Sequence, residues 1–578
     1  MRLTRNKTGN GTTYYVIRSI KRDGKRSSEV VERLGTDQEI MEKYGCEDPE
    51  AWAQARLNEM NAAEKEKVTK ILVPFDTGRQ IPLDQQNTYN IGYLFLQQIY
   101  YDLGLPSICS AITKRHSFEY DLNAILSRLI YGRILYPSSK RSCFEQSKTL
   151  VESADFDLHQ VYRALSVLAE ESDEIQAGLY KTSKRLVKRQ TGVLYYDCTN
   201  FFFETERESG LRQYGVSKEH RPSPIVQMGL FMDKTGMPLA FCINPGNTNE
   251  QTTMTPLEKK ILQDFSLSEF VVCTDAGLSS ADNRRFNNFG NRSFITTQSI
   301  KKLPEEQKKW CLSPEGWHLS GDEKEYDISK LDEKSEEIIC KTFYKQMYIQ
   351  GYDKERDISF DQTLIVTYSL KYRNYQRKIR QQQLSRAINA VNKGKSGAEK
   401  HGQNDFHRFI KRTSVTEDGE IAERQVYDID QAAVDKEAAF DGFYAVITNL
   451  DDDAEDIIAV NHGRWEIEES FRIMKSEFEA RPVYLSRDDR ILAHFLTCFI
   501  SLMIYRILEK KLEGKYTCEE IIKTLRSMNM IKIGDEGYIP AYTRTTLTDS
   551  LHEAAGFRTD YELIRIRRMK GICSQSKQ

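Results

Sequence analysis

At Thr191-Gly192 the hydrophobic period of the chain changes from helical to extended. Upstream, Ile91 to Leu105 and Leu122 to Tyr136 carry apolar residues at spacings of three and four, the signature of a helix with one buried face. Pro137-Ser138-Ser139 breaks the second run, and Asp157 to Leu168 and Ile175 to Lys188 read as further helices. Downstream, Val193-Leu194-Tyr195-Tyr196-Asp197-Cys198-Thr199 is a dense β run. Strands at Ile225 to Met232 and Leu239 to Ile243 follow, parted by the turn Asp233-Lys234-Thr235-Gly236. Then come a helix at Gln251 to Phe265, a strand at Phe270 to Asp275, a short helix at Ser280 to Asn288 and a strand at Ser293 to Gln298. Three strands, helix, strand, helix, strand predicts an α/β mixed sheet preceded by a helical region.

The N-terminal stretch reads as a hairpin: Thr13 to Lys21 and Ser27 to Leu34, with Asp23-Gly24 in the turn. Residues 37–70 look helical, and 72–90 a loop with a short strand. Residues 300–430 hold β-like pieces (Ile338 to Ile349, Gln362 to Leu370) among charged stretches. Within them, 371–412 carries twelve Lys/Arg against two acids, an excess of ten. Extended sequence returns at Phe443 to Thr448, then helix from about Glu455 to Phe478 and from Arg490 to Leu512. Apart from these elements, 514–578 is uninformative. The 578 residues set a prior of about four compact units. The expected division is 1–90 (hairpin and helical region), 91–190 (helical, DNA-binding), 191–300 (sheet core, first part), 301–435 (β-rich insertion with the basic segment), 436–513 (core, second part) and 514–578.

With 83 Lys+Arg against 85 Asp+Glu, the chain is neither uniformly basic nor an acidic tail, so a basic surface has to be local. At 39% hydrophobic residues it can build cores. The eleven cysteines stand singly with no C-x-x-C, which removes zinc-finger and thioredoxin-like readings and fits a reducing compartment. The first residues lack an apolar signal core, and Ile491 to Leu508, with His494 and Arg506, reads as a buried helix. The expectation is a cytoplasmic, nucleoid-associated bacterial protein with no membrane contact.

Asp197 and Asp275 each end an apolar strand. A lone Asp there is most often a turn-former. Two in one α/β unit can converge on a hard cation such as Mg²⁺, which prefers oxygen ligands. On a helix through Asn461 to Lys475, Arg464, Glu468 and Lys475 share one narrow face. Ile467, Met474 and Phe478 form the adjoining apolar face, with Phe471 at its boundary. Such a face is by default solvated, and the basic segment can be solvated too. Its excess of ten points instead to phosphate contact, with Arg377, Lys378 and Arg380 at its centre. His462 reads as exposed. Trp310 and Trp317 are expected in a core, or stacked on an unpaired base.

Together these residues resemble the DDE insertion-sequence transposases, and within them the IS-four type, whose signature is Tyr-x2-Arg-x3-Glu-x6-Lys. The resemblance rests on Tyr-Tyr-Asp197-Cys-Thr, Cys-Thr-Asp275-Ala-Gly and Arg464-x3-Glu468-x6-Lys475. Asp441 to Asn449 and Pro245-Gly246-Asn247-Thr248-Asn249 add to it, and it covers about residues 90–510. It implies a ribonuclease-H-like core interrupted by a β-rich insertion, which the 193-residue gap from Asp275 to Glu468 accommodates. Asn461 stands at the signature's Tyr position, which puts that phosphate contact in question. The resemblance implies catalytic Asp197, Asp275 and Glu468 holding two Mg²⁺ ions, with Mn²⁺ able to substitute. It implies DNA contacts at Arg464, Lys475 and Asn461, and a homodimer on double-stranded DNA, both terminal inverted repeats and target. The implied reaction is cleavage of element ends and joining to target DNA by two-metal phosphoryl transfer. The alternatives are a ribonuclease-H-like nuclease without strand transfer and a catalytically silent DNA-binding derivative. A paired-carboxylate hydrolase on sugars is remoter, because of the third acid and the basic segment.

Overall fold

The computed structural model describes residues 1–8, 11–22, 25–66, 73, 76–78, 80–353, 356–393, 405–414 and 425–578. The chain forms two compact units, Met1–Gln85 and Gln86–Gln578. In the first, β1 (Arg2–Thr8), β2 (Gly11–Arg22) and β3 (Lys25–Thr36) make an antiparallel sheet in that order. The hairpin expected from the sequence is β2–β3, and its Asp23-Gly24 turn lies outside the described residues. Strand β1 was not expected: it is an edge strand with mostly exposed polar residues, so no apolar alternation marks it. The helical stretch after it divides into α1 (Asp37–Tyr44) and α2 (Pro49–Glu66). Thr36 and Glu39 close a capping box at the start of α1, and Gly45 ends it at φ 62°. Tyr14, Val16, Leu34, Ile40, Ala53 and Leu57 are the core.

The second unit opens with β4 (Thr88–Asn90) and six helices: α3 (Tyr93–Asp102), α4 (Leu105–Arg115), α5 (Leu122–Leu135), α6 (Lys140–Ser147), α7 (Leu158–Glu170) and α8 (Ser172–Ser183). There follow β5 (Val193–Phe202), β6 (Ile225–Asp233), β7 (Pro238–Pro245), α9 (Met254–Asp264), β8 (Phe270–Thr274), α10 (Ala281–Phe286) and β9 (Arg292–Thr297). This is the order read from the sequence. The next stretch holds α11 (Glu305–Leu312), β10 (Trp317–Leu319), β11 (Asp322–Tyr326), α12 (Glu336–Cys340), β12 (Phe343–Asp353), β13 (Ile358–Tyr368) and α13 (Leu370–Asn392). It closes with β14 (Ile410–Ser414), β15 (Gln425–Ile429) and α14 (Gln431–Ala438). Ile338, expected in a strand, is helical, because Ser335 caps α12 through the Ile338 N–H. Residues 394–404 of the basic segment lie outside the described residues.

Strand β16 (Phe443–Thr448) then enters the same sheet. The ten strands run β11-β10-β12-β13-β16-β9-β8-β5-β6-β7. Strands β5, β8 and β9 are parallel to one another, and β5–β6 and β6–β7 are antiparallel. The architecture is a mixed α/β fold with one large mixed sheet. Strands β10 to β13 of the expected insertion extend this sheet, because β16 pairs with β9 on one side and β13 on the other, while β14 and β15 pair with each other in a separate sheet.

The long helix expected from Glu455 to Phe478 is two: α15 (Ala454–His462) and α16 (Trp465–Ser476). After them α17 (Asp488–Lys511) is buried along most of its length, the behaviour of a helix apolar all round at the centre of a core. Its neighbours in that core include residues of α3, α5, α7 and the sheet. The tail forms α18 (Cys518–Ser527), β17 (Asn529–Ile533), β18 (Gly537–Pro540), α19 (Thr546–Ala555), β19 (Ile564–Arg565) and α20 (Ile566–Gln575). Strand β17 pairs with β4, and Asn90 Nδ2 donates to the carbonyls of Leu525 and Met528. The eleven cysteines are all free thiols.

Candidate active site

Strands β5 and β8 pair in parallel with Tyr195 opposite Cys273. Two residues further on lie Asp197, in the middle of β5 and not at its end because pairing with β6 carries the strand on to Phe202, and Asp275, just past the end of β8; they emerge beside each other on one face of the sheet. That face is the one under α15. The Tyr195 hydroxyl donates to the Val460 carbonyl at 2.9 Å, and Cys273 Sγ to Asn461 Oδ1 at 3.4 Å. Gly463 lets this contact form: a Cβ there would meet the Tyr195 hydroxyl at 2.2 Å. The chain leaves α15 at Gly463 and restarts as α16 with Arg464 at its N-cap.

Helix α16 buries Ile467, Phe471, Met474 and, beyond its end, Phe478 against the core, each apolar side chain stabilising by about 1.5–3 kcal/mol. Phe471 belongs to this buried set, not to its boundary. Three acids share the first turns, and their partners separate them. Glu466 lies 3.4 Å from Arg506. Glu469 takes both prongs of Arg472, at 2.7 and 2.6 Å. Glu468 is 63% exposed, with one contact to Arg464 Nη2 at 3.4 Å. It is the acid of this turn left available to a ligand.

Burial raises the Asp197 carboxyl to about 6; Lys218 opposes the rise and Asp275 adds to it. Asp197 accepts the Cys198 N–H at 2.8 Å, and Asp275 accepts the N–H groups of Gly277 and Leu278. Cations frame the acids. Lys218, from the β5–β6 loop, bonds the Cys198 carbonyl at 2.5 Å and lies 3.2 Å from Glu250. Its own value is pulled down by burial but ends raised, through Asp197 and Glu250. Lys475 is lowered to about 8 by burial and by Lys218, against the pull of Asp197. Arg464 acts electrostatically on Asp197, and its Nη1 is buried with no acceptor among the described residues. Lys218 was missed in the sequence; its signal was the charged segment Lys218-Glu219-His220-Arg221 in the loop between the first acid-bearing strand and the next.

Other expected residues sit elsewhere. Asn461 is 3% exposed, its amide turned inward to the Tyr444 hydroxyl and the Cys273 thiol, so it is a packing residue and not a surface contact. Arg380 on α13 forks onto Asp441 and is only 13% exposed, whereas Arg377 and Lys378 are exposed. Trp317 is fully buried with its N–H on the Ser313 carbonyl, so it offers no stacking face, and Trp310 packs half-buried against the same core with Lys345 over its ring. The exposed tryptophan of this region is Trp465, beside Arg464. His462 is exposed, as expected. A cleft of about 570 Å³ runs from Ala276, the residue after Asp275, to Tyr372, Tyr375 and Ile379 of α13; none of Asp197, Asp275 and Glu468 lines it.

The donor set fits a hard divalent cation. Two half-buried carboxylates of like charge stand side by side, and a third, exposed one on α16 has an incomplete set of partners, held among the described residues only by Arg464, which also acts on Asp197. Among the described residues, the three metal-ligating side chains that already lie within 4.8 Å of one another are Asp549, His552 and Asp560, and there Arg544 and Arg558 supply the positive charge.

A sequence profile of the family described as "Transposase DDE domain" matches residues 190–504. No curated protein matches the chain in sequence. Among solved structures, a piggyBac transposase in a synaptic complex with hairpin DNA aligns at 10% identity and a TM-score of 0.35, over 77% of this chain and 82% of that one.

Proposed function

Because the chain belongs to the DDE-domain transposases, a match spanning more than half its length, we propose that it cuts the ends of a mobile element and joins them to target DNA by in-line phosphoryl transfer. The observation that carries this reading is the parallel register of β5 on β8, which sets Asp197 of β5 beside Asp275 just past the end of β8, close to a helix that offers Glu468, Arg464 and Lys475. Asp197, Asp275 and Glu468 would hold divalent cations, Mg²⁺ by the oxygen-only donor set. Bound there, two such ions supply a nucleophile at neutral pH and stabilise the leaving oxygen.

The chain's own groups do the rest. Arg464 grips a phosphate oxygen pair near the scissile bond from the accessible edge of its guanidinium, whose Nη2 is only weakly held by Glu468. Lys475 and Lys218 add point charges on the other side of Asp197 and keep that carboxylate ionised. The exposed Arg377 and Lys378, on a face of α13 outside the cleft, hold the DNA backbone away from the acids. The strand order β7-β6-β5-β8-β9, two antiparallel pairs followed by two parallel ones, supports a ribonuclease-H-like core. Arg464, Glu468 and Lys475 support the IS-four type, from which Asn461 departs. Cutting two element ends calls for a homodimer on double-stranded DNA.

The test is cleavage and strand transfer on element-end DNA with Mg²⁺. Asp197→Asn, Asp275→Asn and Glu468→Gln should each abolish cleavage and leave end binding largely intact, since each removes a metal ligand but no phosphate contact. Near-normal cleavage by one of the three takes that residue out of the site. Cleavage without strand transfer would favour the plain nuclease.

A further inference from the structure

Beyond the C-terminal end of α16 lies a second polar cavity, of about 140 Å³, between the Pro137–Ser139 turn and the loop that follows α16. Its lining includes Arg133, Ser138, Lys140, Arg481, Tyr484 and His494. Arg133, Lys140 and His494 are 6%, 5% and 5% exposed. Arg133 donates from Nη1 to the Phe478 carbonyl at 3.0 Å and from Nη2 to the Ser138 carbonyl at 3.2 Å, and its Nε has no acceptor. Carbonyls orient the guanidinium but do not neutralise it. The groups that act on the Lys140 ammonium are the Arg133 cation and the thiols of Cys143 and Cys498, with no carboxylate among them. Among the described residues, it makes no hydrogen bond or ion pair. The Ser138 hydroxyl is also buried without a partner. The acid in the lining, Glu479, is an exposed residue that gives Arg133 only its backbone carbonyl. Arg481 is paired outward with Glu219. His494 donates from Nε2 to the Ala480 carbonyl, and burial keeps it neutral.

Two buried cations and a free hydroxyl with no anion among them are costly unless a ligand supplies the charge. Lys140 opens α6, whose Ser139 N-cap leaves first-turn N–H groups at the positive end of the helix dipole. A tetrahedral oxyanion uses donors arriving from several directions, as these do; a chloride would leave the hydroxyl and the forked guanidinium poorly matched. At the mouth, Tyr484 is 70% exposed, a flat apolar face beside the charge. We infer that this cavity binds a phosphate group through Lys140, Arg133 and Ser138, with Tyr484 against the nucleoside attached to it.

The position favours DNA as the source. Phe203, just past the end of β5, bridges to Val483 of the cavity loop, and the Phe202 ring carries Arg221 at 4.1 Å and Arg481 at 5.9 Å. Lys475, over the Phe201 ring, Arg221 and Arg481 thus lie between the Asp197 site and the cavity along the strand that bears Asp197, sharing the single carboxylate of Glu219, so that two positive charges of the three remain unbalanced by it. The phosphate chemistry stands without the transposase reading; its assignment to a DNA strand rests on that reading. Burial and Arg133 lower Lys140 to about 8, as expected for a cation whose counter-charge is not a protein group.

The experiment uses the full chain and inorganic phosphate, with chloride at matched ionic strength as reference. Phosphate at millimolar concentration should raise the wild-type melting temperature by a few degrees. Lys140→Met should melt above the wild type in chloride, because an unpaired buried charge is gone, and should lose the phosphate response. A lysine with a merely structural role would instead melt lower as Met and keep the response. If Lys140→Met does not fold, Ser138→Ala serves, with phosphate affinity expected to fall at least about threefold. A second arm measures the salt dependence of DNA binding, where Lys140→Met should flatten the slope by about 0.9 for one lost phosphate contact. Loss of the phosphate response with an unchanged DNA slope supports the pocket and assigns it to free phosphate or a nucleotide. No phosphate response in the wild type, or equal responses in wild type and variants, overturns the proposal. Wild-type cleavage of element ends, measured beside these, reports on the transposase reading separately.

Discussion

Arg464 reaches Glu468 across one helical turn at 3.4 Å, too long and too exposed on the acid's side to serve chiefly as an ion pair. A guanidinium this weakly held, acting on Asp197, suits a phosphate better. Lysine cannot reproduce two parallel N–H bonds. Arg464→Lys is therefore expected to slow single-turnover cleavage at saturating Mg²⁺ by at least about tenfold, roughly 1.4 kcal/mol in barrier, with melting unchanged. A wild-type rate would make it a structural partner of Glu468. Away from the site, Glu258 on α9 is fully buried, with one oxygen on Asn287 Nδ2 at 2.8 Å and the other unpartnered. Burial raises it from 4.5 to about 7. A carboxyl whose folded value lies above its unfolded one holds its proton more tightly when folded. Its contribution is complete below the unfolded value, declines as pH rises and is gone above about 7. Glu258→Gln keeps the shape without the ionisation. Thermal or urea unfolding should show it more stable than wild type at pH 8, by about 2–3 kcal/mol, and indistinguishable at pH 4.

Helix α13 has two kinds of arginine. Arg380 is forked onto Asp441, and Arg373 lies 2.7 Å from Glu333, whereas Arg377 and Lys378 stand on the exposed side. The double variant Arg377→Ala, Lys378→Ala should weaken binding to related and unrelated DNA alike and flatten the salt dependence by about 0.9 per lost contact. Arg380→Ala should leave that slope alone and cost about 3–5 kcal/mol of stability, because it strands the buried Asp441 carboxylate. If the two variants trade outcomes, the faces of the helix are assigned the wrong way round. An unchanged slope for Arg377→Ala, Lys378→Ala would make the exposed face a solvated one.

At the scale of the molecule, residues 514–578 are part of the main core. Strand β17 pairs with β4 across more than four hundred positions of chain, and Leu525, Met530, Leu551 and Ile572 share a core with α3 and α17. Asn90 would lose its Leu525 and Met528 acceptors without them. Ending the chain at residue 513 should therefore abolish cooperative unfolding and expose apolar surface, seen as loss of a single melting transition. A truncated chain that melts like the full one would show this region to be an appendage.

The order of elements from β5 to β9, the strand-end position of Asp275 and the buried length of α17 were legible in the sequence, because each is a local statement: a period, a turn, or an apolar run of a given length; that β5 runs on past Asp197 to Phe202 was not, because the extension is held by its pairing with β6. The choice of Glu468 over its neighbours was legible only by resemblance; the partners Arg506 and Arg472 that separate the three acids come from elsewhere or point along the helix. The break at Gly463 was not legible, because it answers to the Tyr195 hydroxyl on a distant strand. Nor was the inward turn of Asn461, whose partners lie on β16 and β8, nor the engagement of Arg380 by Asp441. Charge counted along a sequence says how many cations a segment has; which of them are already neutralised is decided by residues the fold brings alongside. The same holds for Lys140, an ordinary lysine at the start of a short helix until the loop after α16 closes over it. Local hydrophobic period determined the elements and their order, while long-range packing decided which polar groups remain unsatisfied, and those are the groups left for a ligand.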